Sequence, residues 1–219
     1  MIVLFSHQKG GVGKSTLAVN YAYIQKEYKD ILILDLDSQS STILFNKVRE
    51  ASNLKTINCI SYEDIDDFNS LIKQYKINDN NLLVVDSGGF DSTINRRILA
   101  LADIVITPLG ISQIEIFGLQ KFRTMIEKLS NDFQIDFKTN VVLNNVDSRS
   151  KQKKKILKEY ILNNSKYFNL LDTTIHSRAV FKDSYGDGKS TKEIDTKSEA
   201  TKEIESLIKE INKLLKELK

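Results

Sequence analysis

The chain has 219 residues, of which 41% are hydrophobic and 28% charged, a balance that builds a packed core and excludes a disordered chain. No run nears the roughly 20 apolar residues needed to cross a bilayer, and a single cysteine, Cys59, excludes an internal disulfide or a thiolate metal cluster within one chain. The formal charge of +3 is uneven: residues 1–146 carry 15 Lys and Arg against 17 Asp and Glu, whereas residues 147–219 carry 17 against 12, so a polyanion is expected to meet the C-terminal third.

In chain order, Ile2-Val3-Leu4-Phe5 is an apolar, β-favouring run, and Met1 to Ser6 leads into a glycine-rich loop rather than a signal-peptide cleavage site. One cytoplasmic domain spanning 1–219 is therefore expected. The loop, His7 to Thr16, is followed by helical spacing of Leu17, Ala18, Tyr21 and Ile24 over Ser15 to Tyr28. Gly10-Gly11-Val12-Gly13-Lys14-Ser15-Thr16 between a strand and a helix is a phosphate-binding loop. Its successive backbone N–H groups face phosphate oxygens at a helix N-terminus. Lys14 then reaches the β- and γ-phosphates of ATP, Ser15 places its hydroxyl on Mg²⁺, and Thr16 serves the α-phosphate side. Gln8 stands where the general pattern has its first glycine.

Further strands are predicted at Ile31–Leu36, Leu82–Asp86, Ile104–Thr107 and Asn140–Asn144, with one more around Thr56–Ile60 or Leu170–Ile175. Helices fit at about 62–76, 92–102, 113–130 and 150–164, and Pro108 is expected just after its strand. The alternation predicts an α/β fold: a doubly wound, mostly parallel sheet with helices on both faces, as in a P-loop NTPase. Cys59 reads as a small buried residue, and His7 and His176 as structural. From about 198 to 219 an amphipathic helix places Ile204, Leu207, Ile208, Ile211, Leu214, Leu215 and Leu218 on one stripe. Its polar face mixes Glu with Lys, which favours packing on the sheet or another chain over a membrane surface.

Asp35-Leu36-Asp37-Ser38-Gln39 closes a strand, so period-2 alternation sends both acids to one side of the carboxyl edge, where open α/β sheets bind ligands. The competing reading for Asp35 is a helix cap. Leu82-Leu83-Val84-Val85-Asp86 has the form of a Walker B strand, with Asp86 holding Mg²⁺ through water. Arg149, Lys151, Lys153, Lys154 and Lys155 open a helix with five cations in seven residues, a candidate for sequence-independent phosphate contacts. No recognition helix or aromatic stacking motif is visible, so base readout is not expected.

Lys9-Gly10-Gly11-Val12-Gly13-Lys14-Ser15-Thr16 resembles the deviant Walker A motif of the ParA/MinD ATPases, and the resemblance covers nearly the whole chain. It implies that Lys9 reaches the phosphates of ATP bound by a twin subunit, making an ATP-dependent homodimer, much as an arginine finger works in trans. It implies that Asp37 orients the attacking water and joins the metal site, that Asp35 supports the magnesium shell, and that Ser38 replaces a usual proline. Gly88-Gly89 resemble a second switch sensing the γ-phosphate, and Asn144 matches the residue that bonds the adenine edge. Thr173 to Lys182 and Gly186 to Lys189 resemble a late segment whose basic residues touch DNA in partition ATPases, which nominates Arg178 and Lys182. The implied function is nucleoid-associated partition of DNA, with hydrolysis stimulated by a ParB-like centromere-binding protein. The chain opens on the first strand, so no operator-reading domain is expected. A MinD-like membrane-cycling or protein-positioning ATPase is the alternative; a cluster-bearing nitrogenase iron protein is excluded by the lone cysteine.

Overall fold

The apolar runs become seven parallel strands: β1 (Ile2–Phe5), β2 (Asp30–Asp35), β3 (Asn58–Ser61), β4 (Asn81–Asp86), β5 (Ile104–Leu109), β6 (Thr139–Val146) and β7 (Phe168–His176). They lie in the order β3-β2-β4-β1-β5-β6-β7. The helices are α1 (Lys14–Ile24), α2 (Ser41–Ala51), α3 (Phe68–Ile77), α4 (Thr93–Leu101), α5 (Gln113–Phe133), α6 (Lys151–Asn163), α7 (Val180–Gly186), α8 (Thr191–Ile194) and α9 (Glu199–Glu217). The structure, a computed structural model, describes every residue except Lys26, Phe90, Asp91, Ser148 and Lys219.

Successive side chains of a strand serve opposite cores. Ile2, Leu4, Leu83 and Val85 meet Phe68, Ile98, Phe122 and Leu157 from α3 to α6. Val3, Phe5, Leu82 and Val84 meet Leu17 and Tyr21 of α1 and Ile204, Leu207 and Ile211 of α9. Helices on both faces of an all-parallel sheet are the doubly wound arrangement that the alternation predicts.

Both candidates for an extra strand are strands, forming β3 and β7 at the two edges. The helix expected at 62–76 is instead one 3₁₀ turn, Tyr62–Asp64, followed by α3, because Asp67 accepts bonds from the Asn69 and Ser70 amides and starts the helix afresh. The first helix ends at Ile24, short of Tyr28, and α2 has no clear signal in the sequence, because Leu44 is exposed and breaks the apolar period. Pro108 lies inside β5 rather than after it, paired in register with Val142. Ser6 N–H donates to the Ile106 carbonyl, so by alternation the Pro108 nitrogen faces the same side, just past the last residue of β1, where the pairing with β1 ends.

The tail forms α9, whose cap Ser198 accepts a bond from the Thr201 amide. Its stripe is spent on the sheet: Ile204, Leu207, Ile208, Ile211 and Leu215 are buried, while Leu218 is exposed. Two glutamates of its polar side finish the outer edge, Glu210 accepting from the Asp172 and Thr173 amides and Glu203 from the His176 amide. An edge strand whose amides are taken in this way is protected from pairing with another chain. Cys59 is half-buried, and burial pushes its thiol up to about 12, so it is not a reactive thiolate at neutral pH.

Candidate functional site

The turn between β1 and α1 is built for an anion. Gly11 and Gly13 take φ of +75° and +95°, a region open to glycine at little cost. At Gly13 a Cβ would stand 2.2 Å from the Asn144 amide nitrogen, so the loop is pressed against β6. Among the described residues no side chain caps the first amides of α1, and no acid sits in its first turn, which leaves its positive end to a ligand. Lys14 is buried, its ammonium 3.3 Å from the Lys9 carbonyl. Burial lowers its pKa, and the carboxylates of Asp86 and Asp37 oppose that shift.

Asp86, at the end of β4, is fully buried and neither carboxylate oxygen has a hydrogen-bond partner among the described residues. Burial pushes its pKa up to about 7; Ser15 and Lys14 act the other way, although the Ser15 approach falls short of hydrogen-bond geometry. Two orphaned carboxylate oxygens beside a hydroxyl and a lysine are a costly arrangement for a monomer alone. They fit Mg²⁺, a hard cation held by one or two carboxylates plus phosphate oxygens and water. Among the described residues no group of three acidic, His or Cys side chains could hold a metal by itself, so phosphate would have to complete the shell.

Asp35 departs from its expected role in the magnesium shell. Its Oδ2 accepts from the Thr42 amide (2.8 Å), the Thr42 hydroxyl (2.7 Å) and the Ile43 amide (3.3 Å), and its Oδ1 accepts from the Asp37 amide (3.0 Å). It is the cap that starts α2 and fixes the loop carrying Asp37. That loop has Ser38 in place of a proline, yet it is tied down: Asp37 Oδ1 accepts from the Gln39 amide and the Asp37 carbonyl from the Ser40 amide.

A cavity of about 470 Å³ joins Gly10, Lys14, Ser15, Asp37 and Gly89. A neighbouring one of about 650 Å³ joins Val12, Asn144, Ser177, Phe181 and Lys182. They share Gly11, Gly13, Thr16 and Tyr185, so together they form one trough across the loop. Gly88 is buried, and it is Gly89 that reaches the loop, where a Cβ would stand 3.2 Å from the Gly10 nitrogen. Asn144 Nδ2 donates to the Val12 carbonyl at 2.7 Å, bracing the loop from the side on which a base would sit. Lys9 lies at the rim, its ammonium paired with Glu115 of its own chain.

The basic residues are less free than the sequence suggests. Arg178 is half-buried and bonded to Glu203 at 2.7 Å, which also holds His176 at 2.8 Å. Arg149 pairs with Asp147 at 2.9 Å, Lys154 donates to the Thr174 hydroxyl at 2.9 Å, and Lys155 faces Glu159 at 3.9 Å. Lys151, Lys153 and Lys182 stand exposed. A surface cavity brings Arg149 and Arg178 together, so the two clusters are neighbours.

Three residues of the site carried no usable signal. Tyr185 donates from its hydroxyl to the Ser41 carbonyl at 2.8 Å and packs on Phe45, linking α7 to the start of α2. Glu115 holds Lys9. His7 is buried against Phe122, and its Nδ1 accepts the Lys9 amide at 2.9 Å; burial, with Lys14 and Lys9 adding, pushes its pKa down to about 3. An isolated tyrosine, glutamate or histidine looks like any surface or core residue until its partner is known.

Residues 3–191 match the model of the CobQ/CobB/MinD/ParA nucleotide binding domain. No curated protein matches the chain. Among solved structures, a putative plasmid partition protein from Borrelia burgdorferi B31 bound to AMPPNP is 18% identical with a TM-score of 0.70, covering 97% of this chain and 98% of that one. A Cyanothece McdA variant in complex with ATP is 14% identical with a TM-score of 0.72, covering 96% of each. A chain of the Aquifex aeolicus MinC:MinD cell division protein complex is 18% identical with a TM-score of 0.68, covering 96% of this chain and 94% of that one. These likenesses are of fold, and together with the family match they settle the membership: the chain belongs to the CobQ/CobB/MinD/ParA nucleotide-binding domain family.

Proposed function

We propose that the chain is a ParA-type ATPase that dimerises on ATP, binds DNA without regard to sequence and works in DNA partition, with hydrolysis stimulated by a ParB-like centromere-binding protein. The observation that carries the ATPase reading is Asp86: a buried carboxylate with both oxygens unpaired, beside Lys14, Ser15 and the free amides of α1. In the working cycle the amides from Gly10 to Gly13 and Lys14 bind the phosphates, and Thr16 and Asn144 flank the α-phosphate and base. Bound Mg²⁺, held through Ser15 and Asp86 with Asp37 near, would neutralise charge on the β- and γ-phosphates. Asp37 orients the water for in-line attack, and Lys9 of each protomer completes the other's site. Lys14→Ala is expected to abolish ATP binding, and near-normal nucleotide affinity in calorimetry would break the reading.

DNA binding is assigned to the exposed lysines of α6 with Lys182, and to Arg149 and Arg178 once their acidic partners are displaced. Charge reversal of Lys151, Lys153 and Lys155 to Glu is expected to weaken binding equally for unrelated duplexes and to lower the salt slope by about one per lysine. Unchanged slopes would move the interface elsewhere. No described helix is long and apolar enough to cross a membrane, and the buried stripe of α9 weighs against the membrane-cycling alternative.

A further inference from the structure

We infer that Glu115 is the positioning residue of Lys9: in the unpaired protomer it holds the ammonium on its own chain, and dimerisation requires the lysine to leave it. This rests on the reading above, in which Lys9 acts across the dimer. The two residues are 106 positions apart and form a direct ion pair, with side chains 34% and 13% exposed. Both ends of the lysine are fixed, since His7 Nδ1 accepts its backbone N–H at 2.9 Å while Glu115 takes its ammonium. Glu115 is itself anchored in the first turn of α5, where its amide meets the Ser112 cap. Its other oxygen, Oε2, is buried with no hydrogen-bond partner among the described residues, so the carboxylate has only its Lys9-facing oxygen engaged. Gly118, one turn on, lets the helix approach: a Cβ there would stand 3.1 Å from the His7 ring and 3.8 Å from the Lys9 stem.

A side chain cannot sit on its own Glu115 and on a twin subunit's phosphates at once. Every dimer must therefore break two of these pairs, and the pair sets how much nucleotide-dependent attraction is needed before twin subunits close. Loss of the pair is worth roughly fivefold per protomer for a partly exposed ion pair, hence about 25-fold in the dimerisation constant, because the two protomers contribute independently.

The test is sedimentation equilibrium of the full chain with Mg²⁺ and AMPPNP, for wild type, Glu115→Gln, Glu115→Asp and Lys9→Ala. Gln keeps the shape and removes the charge; Asp keeps the charge and shortens the reach. Both are expected to dimerise at about 25-fold lower protein concentration than wild type, and all forms are expected to stay monomeric with ADP. An unchanged or weakened dimer in both Glu115 variants, while Lys9→Ala abolishes dimers, overturns the inference and leaves the proposed function standing. Dimers of the Glu115 variants with ADP also overturn it, since the residue would then only be masking a sticky surface. Dimerisation of Lys9→Ala at the wild-type concentration would instead remove the trans lysine on which the inference depends.

Discussion

The carboxyl ends of β2 and β4 lie side by side, with Asp35 in register with Asp86, and both residues are buried, yet their environments are opposite. Asp35 receives four hydrogen bonds and holds a loop and a helix in place. Asp86 receives none and is pushed up to about 7 by burial. An apolar strand ending in aspartate thus has two uses, one that stabilises the protein and one that costs stability until a ligand arrives. The unsatisfied member of the pair is the one on which the proposed ATPase site rests.

The largest test of that contrast is Asp86→Ala. Loss of the buried carboxylate is expected to reduce Mg-dependent hydrolysis by about a thousandfold while leaving thermal stability unchanged or higher. A variant that turned over normally, or that unfolded, would make Asp86 another Asp35.

The same contrast has a signature in pH. Asp86 moves from 3.8 up to about 7 and His7 from 6.5 down to about 3. Between pH 3.8 and 7 the native state carries the extra proton on Asp86, so that residue makes stability fall as pH rises. Between pH 3 and 6.5 the unfolded state carries the extra proton on His7, so that residue makes stability rise. The slopes oppose each other in wild type. In nucleotide-free Asp86→Asn the falling contribution is removed, and urea denaturation is expected to show stability gained relative to wild type as pH rises, on the order of 4 kcal/mol across the window. Parallel profiles for the two proteins would mean that Asp86 is ionised throughout.

On the β2 side, Asp35→Ala is expected to lose about 2–3 kcal/mol of stability, from a helix cap and buried amides left without an acceptor, and to lower turnover only through the displaced Asp37 loop. Equilibrium unfolding and ATP affinity measured together check this: lost nucleotide binding with unchanged stability would return Asp35 to the metal shell.

What the sequence could carry follows from how local each interaction is. The phosphate loop, the Asp86 strand and the α9 stripe are written in contiguous residues, with periods of 2 or 3.6, and all three stand where the pattern put them. The two roles of Asp35 and Asp37 could not be separated, because the choice depends on Thr42 and on a helix with no clean apolar period. Arg178 looked like a free cation because Glu203, its partner, lies 25 residues away on α9. Asn144 against Gly13 and Glu115 against Lys9 exist only once the sheet order brings the carboxyl ends of β1, β5 and β6 together, and Tyr185 against Ser41 only once the segment after β7 crosses to the start of α2. Cys59 is half-buried rather than buried, and the Nδ1 of His7, which the sequence presents as a structural residue, accepts the Lys9 amide in the loop.

The smallest expected effect concerns Tyr185, which touches neither aspartate yet lines both halves of the trough. Its hydroxyl anchors the Ser41 carbonyl, one residue before Thr42, so α2 is held at its start by Asp35 from the sheet and by Tyr185 from α7. Arg49, stacked on Tyr23 and bonded to Glu193 and the Gly188 carbonyl, holds the far end of the same helix. Tyr185→Phe removes one hydrogen bond, about 1 kcal/mol, and leaves the ring on Phe45. With Asp35 and Arg49 intact the fold should be indifferent, and the loss should appear as a few-fold fall in kcat at unchanged ATP affinity, because only the aim of Asp37 is loosened. A fall in affinity with kcat preserved would instead make Tyr185 a wall of the base site, and the β2 loop would then owe its geometry to Asp35 alone.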